Sequence, residues 1–271
     1  VRITFIGTGG AIPDANRAPS ALLVEDGDAK MLVDCGSGTL HRLLDYGVTH
    51  RDLTYILITH FHVDHSLDIP ALFQAMAVDR PREKPITLIG PLGFYEFLKN
   101  LLKSLGLLKY LHGEKVQLLE IGPDATAEVI NDTDNMKRVI ELGSHVLSKP
   151  PFMITAANVK HNPESTAYRI VDSTGKTLAV SGDSGPCDGL VEISKKADLF
   201  VLECSLPDDY EMEMHMTPST AAETVERANP KKVALTHFYP VWYERDLEAD
   251  IAEAFGKRDV IIAEDGMSME I

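Results

Sequence analysis

Thr59-His60-Phe61-His62-Val63-Asp64-His65 places three histidines and one aspartate within the six consecutive positions 60–65. The residues just before it, Leu53-Thr54-Tyr55-Ile56-Leu57-Ile58, are apolar and β-branched and predict a buried strand. The cluster therefore stands where a strand ends and the chain turns, a usual place for chemistry in α/β proteins. Neutral imidazole and carboxylate are ligands suited to zinc, and also to manganese or iron. His60 and His62 can share one side of the turn and bind one metal, and Asp64 and His65 can bind a second. A purely structural role would bury four polar side chains without partners, which is costly.

Composition narrows the setting. The chain has 271 residues, 44% hydrophobic and 25% charged, enough to bury a sizeable core. No apolar run approaches the roughly 20 residues of a membrane span. The chain opens directly on strand-like Ile3-Thr4-Phe5-Ile6 with no signal-peptide pattern. Cys35, Cys187 and Cys204 fit neither a disulfide framework nor a zinc ribbon, so the expectation is a reducing cytoplasm. Lys and Arg total 26 against 41 Asp and Glu, a net charge of −15. An acidic surface repels polyanions at long range, so nucleic acid binding would need a local basic patch.

Reading outward, the pattern predicts strands over 3–6, 21–25, 30–33, 86–89, 152–159, 167–171, 177–180, 199–202, 233–236 and 260–263. Asp26-Gly27-Asp28 and Ser173-Thr174-Gly175-Lys176 read as hairpin turns. Helices are predicted over 39–46, 68–78, from the Thr217-Pro218-Ser219 cap to Ala228, and 246–255. Gly7-Thr8-Gly9-Gly10 reads as a tight turn, lacking the Rossmann spacing and the P-loop lysine. Leu92 to Leu111 has helical spacing interrupted at Gly106, with more apolar residues than one stripe needs. It is expected to wall a pocket or to pack on a second copy of the chain, making a homodimer. From Ile121 to Pro151 the pattern loosens. The whole is read as one domain, 1–271, with an insert near 92–151.

The cluster has the form His-x-His-x-Asp-His and resembles the metallo-β-lactamase superfamily. Three further residues extend the match: His161 after a strand, Asp183 in Gly182-Asp183-Ser184, and His237 in Leu235-Thr236-His237-Phe238. The resemblance implies an α/β fold, a four-layer αββα sandwich of two mixed β-sheets flanked by helices, with metals at one sheet edge. It also implies one metal held by His60, His62, His161 and Asp183. A second would be held by Asp64, His65, Asp183 and His237, with Asp183 bridging. Two metals about 3.5–4 Å apart can activate a shared water and neutralise an anionic transition state. The cofactors expected are two Zn2+ ions, with Mn2+ or Fe as substitutes. Asp34 is a candidate partner for the outer N–H of a ligand imidazole; its other candidate role is capping the helix at Thr39.

Within the superfamily the chain resembles the ribonuclease Z branch. Phe5-Ile6-Gly7-Thr8-Gly9, Asp34-Cys35-Gly36, the histidine cluster, Ile89-Gly90-Pro91, Ser181-Gly182-Asp183 and Leu235-Thr236-His237 occur in that branch's order. Glu203 and His215 match its additional Glu and His. The resemblance implies that His215 acts as general acid or phosphate contact, oriented by Glu203, with Asp64 catalytic as well as ligating. A Glu–His pair is chemically suited to that work. The departures are specific. Ser37-Gly38-Thr39-Leu40 stands where the tRNA-processing enzymes have Glu-Gly-Thr-Gln, Val63 where they usually have Gly, and His215-Met216-Thr217 where they have His-Ser-Thr. Their tRNA-clamping arm usually lies between the third His ligand and the bridging Asp, a span filled here by one hairpin.

The leading expectation is therefore a dinuclear zinc phosphodiesterase, with acidic charge and the missing arm favouring a compact diester such as a cyclic nucleotide. The alternatives are a ribonuclease Z-type tRNA 3′-end endonuclease, or a lactone or thioester hydrolase of the same fold. A diiron oxidoreductase would carry a carboxylate where His62 stands.

Overall fold

Ile3 and Phe5 leave the first strand on one side and Ile6 on the other, and this alternation builds the layers. The computed structural model describes residues 1–80, 82–111, 115–122, 128–131, 137–140, 146–149, 151–210 and 212–271. In chain order the first strands are Arg2–Gly7 (β1), Ala21–Asp26 (β2), Ala29–Val33 (β3), Tyr55–Leu57 (β4), Ile86–Gly90 (β5), Val116–Glu120 (β6), Glu128–Asn131 (β7) and Lys137–Ile140 (β8). A second set follows: Val146–Lys149 (β9), Phe152–Asn158 (β10), Thr166–Val171 (β11), Thr177–Val180 (β12), Leu199–Glu203 (β13), Lys232–Thr236 (β14) and Ile261–Ile262 (β15). Ser268–Glu270 (β16) returns to the first set and pairs antiparallel with β1. Among the described residues the sheets run β16-β1-β2-β3-β4-β5-β6-β8-β7 and β15-β14-β13-β12-β11-β10-β9.

Three apolar clusters fill the three spaces between four layers. Between the sheets, Ile3, Phe5, Met31, Val33 and Leu57 meet Ile154, Tyr168, Leu178, Val180 and Val201. The opposite side chains of the first sheet, Ile6, Leu32, Ile56 and Leu88, pack under helices Thr39–Leu43 (α1), Ile69–Val78 (α3), Phe94–Ser104 (α4) and Leu108–Leu111 (α5). Ala179, Phe200, Leu202, Val233 and Leu235 do the same under Asp188–Ser194 (α6), Pro218–Ala228 (α7) and Leu247–Phe255 (α8). This is a four-layer αββα sandwich of two mixed sheets flanked by helices, as the resemblance implied. Strands buried on both faces carry near-continuous apolar runs, which is why 199–202 and 233–236 were legible.

Parallel pairing matters for function. β3, β4 and β5 run parallel, as do β12, β13 and β14. Their carboxyl ends gather at one edge, where ligands bind in open α/β sheets.

Three expectations change. The strand predicted over 53–58 shortens to Tyr55–Leu57, and beyond it the Thr59 amide turns to the Asp34 carboxylate. Asp34 does not cap the helix at Thr39. The Asp68 carboxylate takes that role, accepting from the amides of Gly38 and Leu40 at 3.0 and 2.9 Å. The apolar excess of Leu92–Leu111 is largely absorbed within the chain. The chain reverses at Gly106, whose φ of 72° is left-handed, so α5 folds back beside α4 and α3. Phe94, Leu98, Leu102 and Leu111 are fully buried, which absorbs most of the apolar surplus, while Leu92 and Leu105 stay exposed. Leu92 walls a cleft of about 340 Å³ with Phe61, Ile121 and Pro163. Of the expected insert, residues 112–114, 123–127, 132–136, 141–145 and 150 lie outside the described residues. Those from 123 onward are about half of the excursion expected over 121–151, whose described parts include β7, β8 and β9. No helix among the described residues is long and apolar enough to cross a membrane.

Candidate metal centre

The cluster is shaped by one short helical turn. His62 is still extended (φ −60°, ψ 152°), and Val63–Ser66 (α2) starts directly after it. The Ser66 hydroxyl donates back to the carbonyls of Phe61 and His62, tying the turn shut. Val63 is left 61% exposed, while Asp64 and His65 swing inward and are buried. Gly182 holds the facing turn at φ 58°, so close that a Cβ would lie 2.7 Å from that of Thr59. That approach brings Asp183 to the histidines.

Two groups of four ligand residues result, beside a third group of Glu203, His215 and His237. His60, His62, His161 and Asp183 form one, and Asp64, His65, Asp183 and His237 the other, each with its atoms within 4.8 Å of one another. All seven residues singled out in the sequence as ligands therefore converge, and Asp183 is common to both groups.

The outer hydrogen bonds show which nitrogens face inward. His65 Nδ1 lies 2.7 Å from Asp34 Oδ2, so Nδ1–H donates outward. Its Nε2 then sits 3.1 Å from Asp183 Oδ1, 3.5 Å from Asp64 Oδ2 and 3.2 Å from His237 Nε2. His237 Nδ1 meets the Ser205 hydroxyl at 2.9 Å, and its Nε2 is 3.1 Å from Asp183 Oδ1. On the other side, His161 Nδ1–H donates to the Met214 carbonyl at 3.1 Å. Its Nε2 lies 3.2 Å from His62 Nδ1 and 3.8 Å from Asp183 Oδ2. His62 Nε2 accepts from the Asn162 Nδ2 amide at 2.9 Å, and its Nδ1 faces His161 Nε2.

The residues fit a pair of divalent cations. His60 Nε2 and Asp183 Oδ1 are buried with no hydrogen-bond partner, an arrangement that a bound cation satisfies. Nitrogen and carboxylate donors of this mix suit zinc. In the metal-free chain burial pulls His65 down, but the Asp183 and Asp34 carboxylates outweigh it and hold the imidazole protonated well above its usual range. Burial and the neighbouring His65 push His60 the other way, well below that range. Burial works to raise Asp183, yet His237 and His65 pull it well below the usual carboxylate range.

Glu203 and His215 lie beside these groups. His215 Nδ1 is 2.8 Å from Glu203 Oε1, and its ring stands 4.9 Å from that of His161 and 5.9 Å from that of His237. Burial lowers His215, but the Glu203 carboxylate overcomes it and pushes the imidazole up to about 9. Glu203 also accepts from the amides of Ser184 and Met216 and from the Ser205 hydroxyl. With four donors upon it, the carboxylate has little left for a metal, so its role is to brace His215.

A family model described as "Beta-lactamase superfamily domain" matches residues 29–238. Ribonuclease Z of Methanosarcina acetivorans is 32% identical, the alignment covering all of this chain and 98% of that one. Among solved structures, human tRNase Z, short form, superposes with a TM-score of 0.74 at 25% identity, covering 100% of this chain and 99% of that one. The metallo-β-lactamase fold protein YhfI from Bacillus subtilis gives 0.75 at 25% identity, with 99% of each chain covered. The chain belongs to the metallo-β-lactamase superfamily, in its ribonuclease Z-like branch. As a member it is a metal-dependent hydrolase.

In this ribonuclease Z-like chain, some site residues carried no sequence signal. Ser205 bridges Glu203 and His237 through its hydroxyl, and only its place just past a strand end hinted at that. Asn162 and Tyr239 neighbour predicted ligands but match no motif. Glu211, in the methionine-rich run before His215, lies outside the described residues.

Proposed function

We propose that the chain is a ribonuclease Z-type endonuclease that hydrolyses a phosphodiester bond in RNA. His60, His62, His161 and Asp183 would hold one divalent ion, and Asp64, His65, Asp183 and His237 the second. When bound, such ions supply Lewis-acid stabilisation and an activated water. The chain's own residues do the rest. Asp34, Ser205 and the Met214 carbonyl fix the inward nitrogens of His65, His237 and His161. Glu203 holds His215 through Nδ1, leaving Nε2 available to give a proton to the leaving oxygen.

The observation that carries this reading is the braced Glu203–His215 pair standing beside two complete ligand groups, in a chain similar over its full length to enzymes named ribonuclease Z. That full-length likeness moves the RNA reading ahead of the compact diesterase favoured by composition. The compact diester stays as a second reading on one observation. Between His161 and Asp183 the chain makes only the β11–β12 hairpin. Its alignment to the Methanosarcina acetivorans enzyme runs to 309 positions against 271 residues, so at least 38 positions of the relative face gaps.

The test is hydrolysis by metal-loaded protein of a precursor tRNA with a 3′ trailer, beside cyclic nucleotides, bis(p-nitrophenyl) phosphate and a lactone. Cleavage of the precursor at one position is expected. Turnover of cyclic nucleotides alone would favour the second reading, and turnover of the lactone alone would overturn both.

A further inference from the structure

We propose that Tyr239 is a catalytic residue of this centre, its phenol hydroxyl donating a hydrogen bond to a non-bridging phosphoryl oxygen of the bound substrate; this rests on the phosphodiester reading above. Tyr239 follows two residues after His237, and its amide donates to the Ser205 carbonyl at 3.3 Å. It is extended (φ −86°, ψ 156°) and caps the short 3-10 turn Pro240–Glu244. That geometry turns the ring back over the site. Its centroid is 5.6 Å from the His237 ring and 5.8 Å from the His215 ring, the latter edge-on at 65°.

The chain makes room for this ring. A Cβ at Gly10 would lie 2.2 Å from Tyr239 Cε1 and 2.8 Å from His237 Cε1. Gly10 is not among the positive-φ glycines, so space for the two rings, rather than backbone freedom, explains a glycine there. The Gly7–Gly10 run, which reads in sequence only as a turn, thus acquires a reason at its last position.

The hydroxyl is suited to donate. Tyr239 is half-buried, and no hydrogen bond to a described residue occupies its hydroxyl. A phenol of ordinary pKa, about 10, keeps its proton at neutral pH. Phosphoryl transfer places charge on the non-bridging oxygens. A neutral donor on a ring held beside the centre strengthens as that charge develops. His215 is occupied with the leaving oxygen, so Tyr239 and His215 act on different atoms.

Tyr239→Phe keeps the ring and removes only the hydroxyl. The metal-loaded variant is expected to lose about 10²-fold in kcat, by a similar factor for substrates with good and poor leaving groups. Binding of inorganic phosphate to the metal-loaded protein, measured by calorimetry, should weaken, while metal content and Tm stay at wild-type values. Unchanged kcat and phosphate affinity would overturn the proposal, leaving Tyr239 as packing against Gly10. A drop in metal content matching the drop in rate would also overturn it, by making the residue structural. Wild-type protein that cleaves no diester would instead sink the functional reading, and this assignment with it.

Discussion

Asp34 and His65 meet through a 2.7 Å hydrogen bond from Nδ1 to Oδ2, and this contact decides which nitrogen of His65 faces the centre. The same carboxylate accepts from the amide of Thr59 at 2.8 Å through its other oxygen. One side chain therefore positions the end of β4 and the ring of a candidate ligand together. Asp34 itself sits at φ 61°, a left-handed conformation that Asp and Asn tolerate better than most residues. Asp34→Asn should keep the backbone and weaken the support of His65. Metal affinity at the Asp64–His65–Asp183–His237 group is expected to fall about 10–100-fold. Calorimetric titration of the metal-free protein should show the other group's affinity nearly unchanged; equal losses at both would contradict this division.

Metal uptake should stabilise the fold and release protons. His60 Nε2 and Asp183 Oδ1 are buried without hydrogen-bond partners, and a cation would satisfy them. At metal concentrations 100-fold above Kd the gain is about 2.7 kcal/mol per site, or roughly 5–10 °C in Tm for a chain of this size. The metal-free His65 is held protonated above its usual range by Asp183 and Asp34 against the effect of burial. That proton and the metal compete for the same nitrogen, so affinity should fall as pH is lowered. Calorimetry in buffers of different ionisation enthalpy measures the proton released; no release near neutral pH would count against the assignment.

Gly36 offers a test of how closely the turn is packed. A Cβ there would lie 2.2 Å from the Asp64 carbonyl oxygen and 2.7 Å from Pro19 Cβ. Gly36→Ala must push the α2 turn away from the Asp34 loop. A loss of about 1–3 kcal/mol in unfolding free energy is expected from such overpacking, with weaker metal binding because Asp64 moves. Denaturant unfolding that matches wild type would show that the loop yields freely.

The convergent His and Asp set was legible from the motif order of the family that the sequence resembles, with strand ends marking the positions. His161 and His237 look like isolated histidines until the whole ligand order is considered. The layers were legible because buried strands alternate between two apolar faces. The supports were legible only in part: Asp34 and Glu203 were named from the sequence, whereas Ser205, whose hydroxyl joins Glu203 and His237, and Asn162 act through hydrogen bonds that many residue types can supply. The reversal at Gly106 was hidden because a helix folded back on its neighbour and a helix with an exposed apolar face have the same local pattern. Only tertiary packing separates them.

The final prediction separates proton donation from metal binding. His215 lies beside both ligand groups, with its Nδ1 engaged by Glu203. If its Nε2 protonates the leaving oxygen, His215→Ala should keep its metal and slow turnover by about 10²–10⁴-fold. The loss should shrink for a nitrophenolate leaving group, which needs little protonation, whereas Tyr239→Phe should show no such dependence. Asp183→Ala should lose metal and rate together, because Asp183 belongs to both ligand groups. Glu203→Gln should do more than loosen His215. Its carboxylate takes donors from Ser184, Ser205, His215 and Met216, and an amide would turn N–H groups toward some of them. About 1–3 kcal/mol of stability should be lost with the activity. Equal rate losses of His215→Ala on good and poor leaving groups would assign this histidine to phosphate binding. Full activity of His215→Ala on the native substrate would remove it from the chemistry.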